Sequence, residues 1–372
     1  MKRIAAFFCA ILLLTTPVRA LEVDAPAALL MEKETGTVLF AKGEHQQLEP
    51  ASVTKVMTLL LVMEAIDSGR LNWDTTVTAS AHACSMGGSQ IWLKENEQMS
   101  VADMVKAVCV VSANDCAVAL AEAVSGSEEA FVERMNRRAA ELGMADTVFR
   151  NATGLPAAGH VTSAADIAVM SRELILRHPD IRQYTTIWMD TLRGGQSSLV
   201  NTNKLIRFYS GATGLKTGST DAAGYCLSAT AERDGMELIA VILKDATSAQ
   251  RFEDAKSLLN HGFANYALVN VTAGQALLPV AVSLGARATV QPVLESRSVL
   301  LEKAAAAAVE REVSMAPSVE APVATGDRLG TLTVTSGGGV VAEVPILAGE
   351  DVPRITYGAM ALRLLRSAFL AS

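Results

Sequence analysis

The stretch "LEPASVTKVMTLLLVMEAIDSG", residues 48–69, sets a serine and a lysine three apart at the mouth of a long apolar run. From Val56 to Asp67 apolar residues fall on almost every side of a helix, so the segment reads as a buried central helix ending at Gly69. Such a helix rarely tolerates a lone lysine. Ser52 and Lys55 share one face of the first turn. Taken alone, the pair has a bland explanation, a serine cap beside a lysine that snorkels to solvent.

Outward from this helix the chain divides by texture. Residues 25 to about 265 mix helical patterns with strands, whereas about 272 to 350 is β-branched and punctuated by turns. In the first region "GYCLSATAERDGMELIAVILK" (224–244) is two strands joined by "RDG", a hairpin signal. Ser100 with Asp103, and Ser163 with Asp166, open helices with a capping-box pattern. The implied fold class is α+β, a helical cluster set against an antiparallel sheet. In the second region, Leu332 and Val334, then Val340, Ala342 and Val344, alternate around "SGGG" and predict a second hairpin in a small β-rich domain. The alanine run 304–308 is a helical excursion or a loose insert.

The chain is 372 residues long, half hydrophobic and 19% charged, enough for sizeable cores and two domains. Lys2 and Arg3, the apolar run Ile4 to Leu14, and Val18-Arg19-Ala20 make residues 1–20 a secretory signal peptide. Cleavage after Ala20 leaves 29 basic against 39 acidic side chains, a net charge of −10, which argues against a nucleic-acid partner. Cys84, Cys109, Cys116 and Cys226 then remain, without CxxC or zinc spacing. They are small buried hydrophobes or include one disulfide.

Two further short motifs follow the opening pair. "SAN" (112–114) closes a helical run, and "KTG" (216–218), inside "GLKTGST", opens the hairpin strand. Each alone is an ordinary cap, turn or strand start. A phosphate-loop reading fails, since Leu215 separates Gly214 from the lysine. None of the five histidines falls in HExxH and no GxSxG elbow occurs, so no metal and no cofactor are assigned. "NAT" (151–153) is read as a turn rather than a glycosylation acceptor.

In this order and spacing the three motifs resemble those of the penicillin-binding protein and serine β-lactamase superfamily, S-x-x-K, S-x-N and K-T-G. More narrowly, "PASVTKVMT", "VSANDCAVALAEAVSGSEEAFVERMN", "GLKTGST" and "RFEDAKSLLNHGF" resemble the low-molecular-mass D-alanyl-D-alanine carboxypeptidases of bacterial cell walls. The resemblance covers nearly the whole mature chain, the β domain and tail by layout more than by motif. It implies a β-lactamase/transpeptidase-like catalytic domain at 21–268, a β-rich domain at 269–352 and a terminal amphipathic helix at 353–372.

It also implies roles. Ser52 is the expected nucleophile on the carbonyl between two D-alanines of a peptidoglycan stem peptide, forming an acyl-enzyme that β-lactams also form as inhibitors. Lys55 is the base, neutral through burial and the nearby cation of Lys216. Ser112 relays a proton to the leaving amine, and Asn114 holds the peptide amide and orients Lys55 by hydrogen bonds. Lys216 and Thr217 receive the terminal carboxylate, Gly218 lets the substrate lie flat along the strand, and the N–H groups of Ser52 and Ser219 form the oxyanion hole. Arg251 falls where relatives carry an arginine near the site, or is a surface charge at a helix start. Ala113 stands where many relatives have glycine, and its methyl is expected to narrow the substrate trench.

Two other functions share these motifs. A class A β-lactamase needs a glutamate in E-x-x-L-N between the second and third motifs; none occurs, and Glu173 lies in a helical pattern. A β-lactam sensor or wall-binding protein acylates without turnover, but a sensor needs a spanning helix, and no uncharged apolar stretch of suitable length follows the signal. The C-terminal "VPRITYGAMALRLLRSAFLAS" (352–372) is too interrupted by Arg354, Arg363 and Arg366 to span a bilayer. Ile355, Ala359, Leu362 and Phe369 recur at helical spacing, so it is a helix lying on the membrane surface or docked on the β domain. The expected location is the outer face of the bacterial cytoplasmic membrane.

Overall fold

A computed structural model describes residues 21–370, so the expected signal peptide at 1–20 lies outside the described residues. The first unit is organised by a five-stranded antiparallel sheet. Its strands are β1 (Ala27–Glu32), β2 (Val38–Lys42), β3 (Ala212–Thr220), β4 (Gly224–Arg233) and β5 (Met236–Asp245), in the spatial order β2-β1-β5-β4-β3. The "RDG" signal holds: Arg233 pairs with Met236, and Asp234 and Gly235 both take positive φ in a two-residue turn.

Both faces of the sheet are covered, and the alternation of side chains shows it. Ala27, Leu29 and Met31 of β1, with Ile239, Val241 and Leu243 of β5, enter one apolar cluster. Ala28 and Leu30, with Leu238, Ala240 and Ile242, enter another. A strand buried on both faces has to be apolar at every position, which is the texture of "AALLM" and "LIAVIL". The first cluster is shared with helices α1 (Lys55–Asp67), α2 (Val101–Val111), α3 (Asn114–Ser125), α4 (Glu128–Glu141) and α5 (Ala164–Arg177). The second is closed by α6 (Ser248–Asn265), through Phe252, Ala255, Leu258 and Leu259. Helix α1 is encased as its composition requires, with every residue from Lys55 to Met63 buried. The capping pairs form: Ser100 accepts from the Asp103 N–H and Ser163 from the Asp166 N–H.

From Tyr266 onward the chain pairs with a second unit, Tyr266–Val271 running antiparallel to Arg297–Glu302. A four-stranded sheet of Pro292–Leu294, Gly339–Ala348, Arg328–Ser336 and Val309–Met315 carries the predicted glycine hairpin, where Ser336 pairs with Gly339. Leu332, Val334, Ala342 and Val344 are buried as expected, but Val340 is 61% exposed. The reason is an irregularity between Val334 and Thr335, which breaks the two-residue alternation just before the turn. The alanine run forms the short helix Lys303–Ala307.

All four cysteines of the described chain are free, three of them buried. The last helix, α7 (Tyr357–Leu370), follows the β-rich unit, and Arg363 donates to the carbonyls of Gly285 and Ala286. The side chains of Arg366 and Phe369 lie outside the described residues. Among the described residues, no helix is long and apolar enough to cross a membrane.

Because α1 has no exposed face over these residues, removing volume there leaves a cavity that neighbours on several elements cannot fill. Leu60→Ala is therefore expected to cost about 2–5 kcal/mol of unfolding free energy, read as a lower denaturant midpoint at constant slope.

Candidate active site

The three motifs, at 52–55, 112–114 and 216–218 in the chain, meet where α1, the α2–α3 corner and β3 converge. Ser52 lies in a 3-10 turn (Ala51–Thr54) that feeds directly into α1, so Lys55 opens the α-helix. Ala51 enters this turn at φ 47°, a left-handed conformation that alanine adopts only under constraint. The constraint is visible nearby: a Cβ on Gly154 would sit 1.8 Å from the Ala51 carbonyl oxygen, so the segment after Asn151 grips the turn at backbone contact.

Lys55 is fully buried. A snorkelling lysine is excluded, since its amine ends inside the protein: Nζ donates to Ser52 Oγ at 2.8 Å and to the Thr153 carbonyl at 2.6 Å. The expected hydrogen bond to Asn114 is not among them: Asn114 Nδ2 donates to the Gly87 carbonyl at 2.6 Å, and its Oδ1 has no partner. Burial, and secondarily the charge of Lys216, hold the Lys55 pKa well below the usual lysine value. The amine is poised to be neutral and faces the serine hydroxyl.

The SAN element is a corner between two helices. Ser112 takes φ 63° to end α2, and Asn114 begins α3 two residues later. Ala113 between them is completely buried in the first apolar cluster. Its methyl therefore fills core and does not narrow the trench, contrary to the expectation from sequence. Ser112 Oγ and Asn114 Oδ1 are buried with no hydrogen-bond partner. Buried polar atoms are normally paired, so both oxygens have unused hydrogen-bonding capacity.

On β3, Lys216 and Thr217 are buried while Ser219 is exposed. Burial brings the Lys216 pKa down to about 7, and its Nζ donates to the Thr217 carbonyl at 2.9 Å. Thr217 donates to Thr202 Oγ1 at 2.7 Å. Gly218 is needed for a reason besides the one expected: a Cβ there would lie 2.8 Å from the Ser52 nitrogen and 2.9 Å from the Val53 nitrogen. The glycine allows β3 to lie against the nucleophile turn, which also places the two proposed oxyanion donors on adjoining segments.

Arg251 is 7% exposed and is no surface charge. It reaches from α6 through the sheet edge, where Nη1 donates to the carbonyls of Gly218 (3.0 Å) and Cys226 (3.2 Å). Its Nε is buried without a partner. Glu173 is occupied elsewhere, paired with Arg138 at 2.7 Å. Among the described residues no cluster of His, Cys, Asp and Glu is arranged to hold a metal.

Three contributors carried no sequence signal. Thr153 acts through its carbonyl, which any residue supplies. Asn151 shapes that loop by accepting from the N–H groups of Thr153 and Gly154. His160 supports the turn from below: its Nε2 meets Thr54 Oγ1 at 2.9 Å while Nδ1 accepts from the Arg150 N–H. Burial, helped by Arg150, lowers its pKa to about 4, so the ring is neutral.

Residues 14–247 match the family described as D-alanyl-D-alanine carboxypeptidase, and residues 270–354 match the penicillin-binding protein 5 C-terminal domain. D-alanyl-D-alanine carboxypeptidase DacF of Bacillus subtilis is 41% identical over 340 residues, covering 90% of this chain and 87% of the relative. DacC of Escherichia coli is 31% identical over 345 residues, covering 90% and 86%. Among solved structures, penicillin-binding protein 5 from Haemophilus influenzae superposes with a TM-score of 0.75 at 30% identity, covering 90% of this chain and 98% of that one. Penicillin-binding protein D2 from Listeria monocytogenes, in its cefotaxime-bound form, gives 0.60 at 34% identity over 65% of this chain and 98% of its own. With its fold, the meeting of its three motifs and these matches in agreement, the chain belongs to the D-alanyl-D-alanine carboxypeptidase family of low-molecular-mass penicillin-binding proteins.

Proposed function

We propose that the protein is a serine D-Ala-D-Ala carboxypeptidase that removes the terminal D-alanine from peptidoglycan stem pentapeptides. The observation that carries this reading is the buried Lys55 amine, 2.8 Å from Ser52 Oγ and without a carboxylate hydrogen-bonded to it. Neutral Lys55 takes the Ser52 proton as Oγ attacks the penultimate carbonyl, and the tetrahedral oxyanion is received by the Ser52 and Ser219 N–H groups. Collapse breaks the C–N bond. The proton passes through Ser112 to the departing D-alanine nitrogen, which returns Lys55 to its neutral form. Water then attacks the acyl-serine as Lys55 accepts its proton; the bond between the acyl carbon and Ser52 Oγ breaks, Lys55 returns the proton to Oγ, and the shortened peptide leaves with a free carboxylate.

Asn114 serves the acyl-side amide through its free Oδ1. The leaving residue's carboxylate is held by Thr217 and by the charge of Lys216. Arg251 adds charge and fixes the carbonyls of Gly218 and Cys226, so it positions the strand as much as the substrate. Penicillin presents an amide and a carboxylate at similar spacing, and acylation of Ser52 by β-lactams follows from the same contacts.

Residues 1–20 fit a secretory signal, and we place the mature protein on the outer side of the cytoplasmic membrane. In α7, Tyr357, Leu362, Leu364 and Leu365 are exposed, an apolar surface suited to the membrane interface. Along the chain, the β-rich unit that begins with the strand pairing at Tyr266 separates the catalytic unit from that helix.

Ser52→Ala is expected to lower D-alanine release from a D-Ala-D-Ala peptide by about 10⁴-fold or more and to abolish covalent penicillin labelling; comparable release by both proteins excludes the mechanism. Acylation requires the unprotonated amine, and the Lys55 pKa is depressed. The acylation rate should therefore rise with pH through that depressed pKa and level off well below 10.5, measured by stopped-flow with a chromogenic β-lactam. A rate that climbs as far as an ordinary lysine pKa contradicts this. Deleting residues 353–372 should move the protein out of the membrane fraction with catalysis intact, and unchanged fractionation rejects the anchoring role.

A further inference from the structure

Trp92 is the most exposed of the large apolar side chains in the catalytic unit, at 74%, and it adopts φ 56°. An aromatic residue in the left-handed region persists only where its surroundings over-determine it. Here they do so from several sides. The carboxylate of Asp115, itself fully buried, accepts from the N–H of Ile91 (3.1 Å) and of Leu93 (3.0 Å), one residue on each side of the tryptophan. The Ile91 and Leu93 side chains are buried in the first apolar cluster, which forces the residue between them outward. From the opposite direction Arg193 donates to the Ile91 carbonyl at 3.0 Å while its guanidinium is paired with Glu97. The ring is thus presented to solvent from a rigid frame.

That frame is continuous with the active site. Asp115 directly follows Asn114 on α3. The same loop supplies the Gly87 carbonyl that fixes the Asn114 amide and the Ser89 carbonyl that accepts from the Asn114 N–H at 2.7 Å. A Cβ on Gly88 would lie 2.9 Å from Asn114 Nδ2, so the loop rests on that side chain. One turn of α3 therefore carries Asn114, assigned above to the acyl-side amide, and Asp115, which fixes the backbone on both sides of Trp92. Neither fold stability nor the chemistry at Ser52 accounts for displaying a strained, exposed indole at this point.

We infer that Trp92 is a specificity-determining contact for the acyl donor, its indole face receiving the aliphatic part of the peptide upstream of the scissile bond as that peptide passes over Asn114. The inference rests on the carboxypeptidase reading and adds the subsite that distinguishes a long stem peptide from a minimal dipeptide. A flat aromatic suits this task because it offers large apolar area with little rotamer entropy to lose on binding.

The test compares D-alanine release from a stem pentapeptide and from N-acetyl-D-alanyl-D-alanine by wild-type protein, Trp92→Ala and Trp92→Phe. Trp92→Ala should raise KM for the pentapeptide by about tenfold with kcat held, change kcat/KM for the acetylated dipeptide by less than about twofold, and be largely rescued by phenylalanine. Equal losses on both substrates, or no loss on either, overturn the inference. If wild-type protein releases D-alanine from neither peptide, the carboxypeptidase reading fails and the inference with it, an outcome told apart by the wild-type measurement alone.

Discussion

Desolvation of one amine is the constraint on which the rest of the site depends. Keeping a lysine out of water disfavours its charged form, and a carboxylate hydrogen-bonded to it would restore that charge. Lys55 is given a hydroxyl and a carbonyl as its hydrogen-bond partners, neither of which stabilises an ammonium as a carboxylate would. Asp115 is the nearest acidic influence, and its oxygens are already committed to the N–H groups of Ile91, Leu93 and Cys116. The encased helix supplies the dry surroundings. The apolar residues of α1 are thus both the core of the domain and the reason its first residue, Lys55, is kept out of water with a lowered pKa.

Backbone approach is the second requirement. Ser52 belongs to a turn clamped between β3 and the segment at Gly154, and both neighbours come so close that a side chain would collide. Two glycines, one from each clamp, set the position of the turn that carries Ser52. Arg251 extends the same logic to the strand edge by holding two carbonyls from behind.

Much of this was legible in the sequence, and the reasons for the rest are specific. The apolar surround of α1, the capping pairs and the "RDG" turn follow from local patterns that tertiary structure does not override. The three motifs are visible because their chemistry resides in side chains. Thr153 was invisible because it contributes a carbonyl, and Asn151 because "NAT" describes any turn. Ala113 was misjudged because the sequence gives no direction for a side chain at a left-handed corner. Val340 was misplaced because a one-residue irregularity inverts the faces of a strand beyond it. The Arg251 ambiguity dissolved only when burial was known.

Three of the four thiols are sealed inside the catalytic unit. Cys109 is raised to about 12 and Cys226 to about 11 by burial, and Cys116 is raised as well, so these three are held as inert thiols. No bridge ties distant segments of the described structure together. Packing, not a covalent link, therefore holds the segments around Cys109, Cys116 and Cys226. The folded interior protects these three sulfurs by shielding them rather than by pairing them.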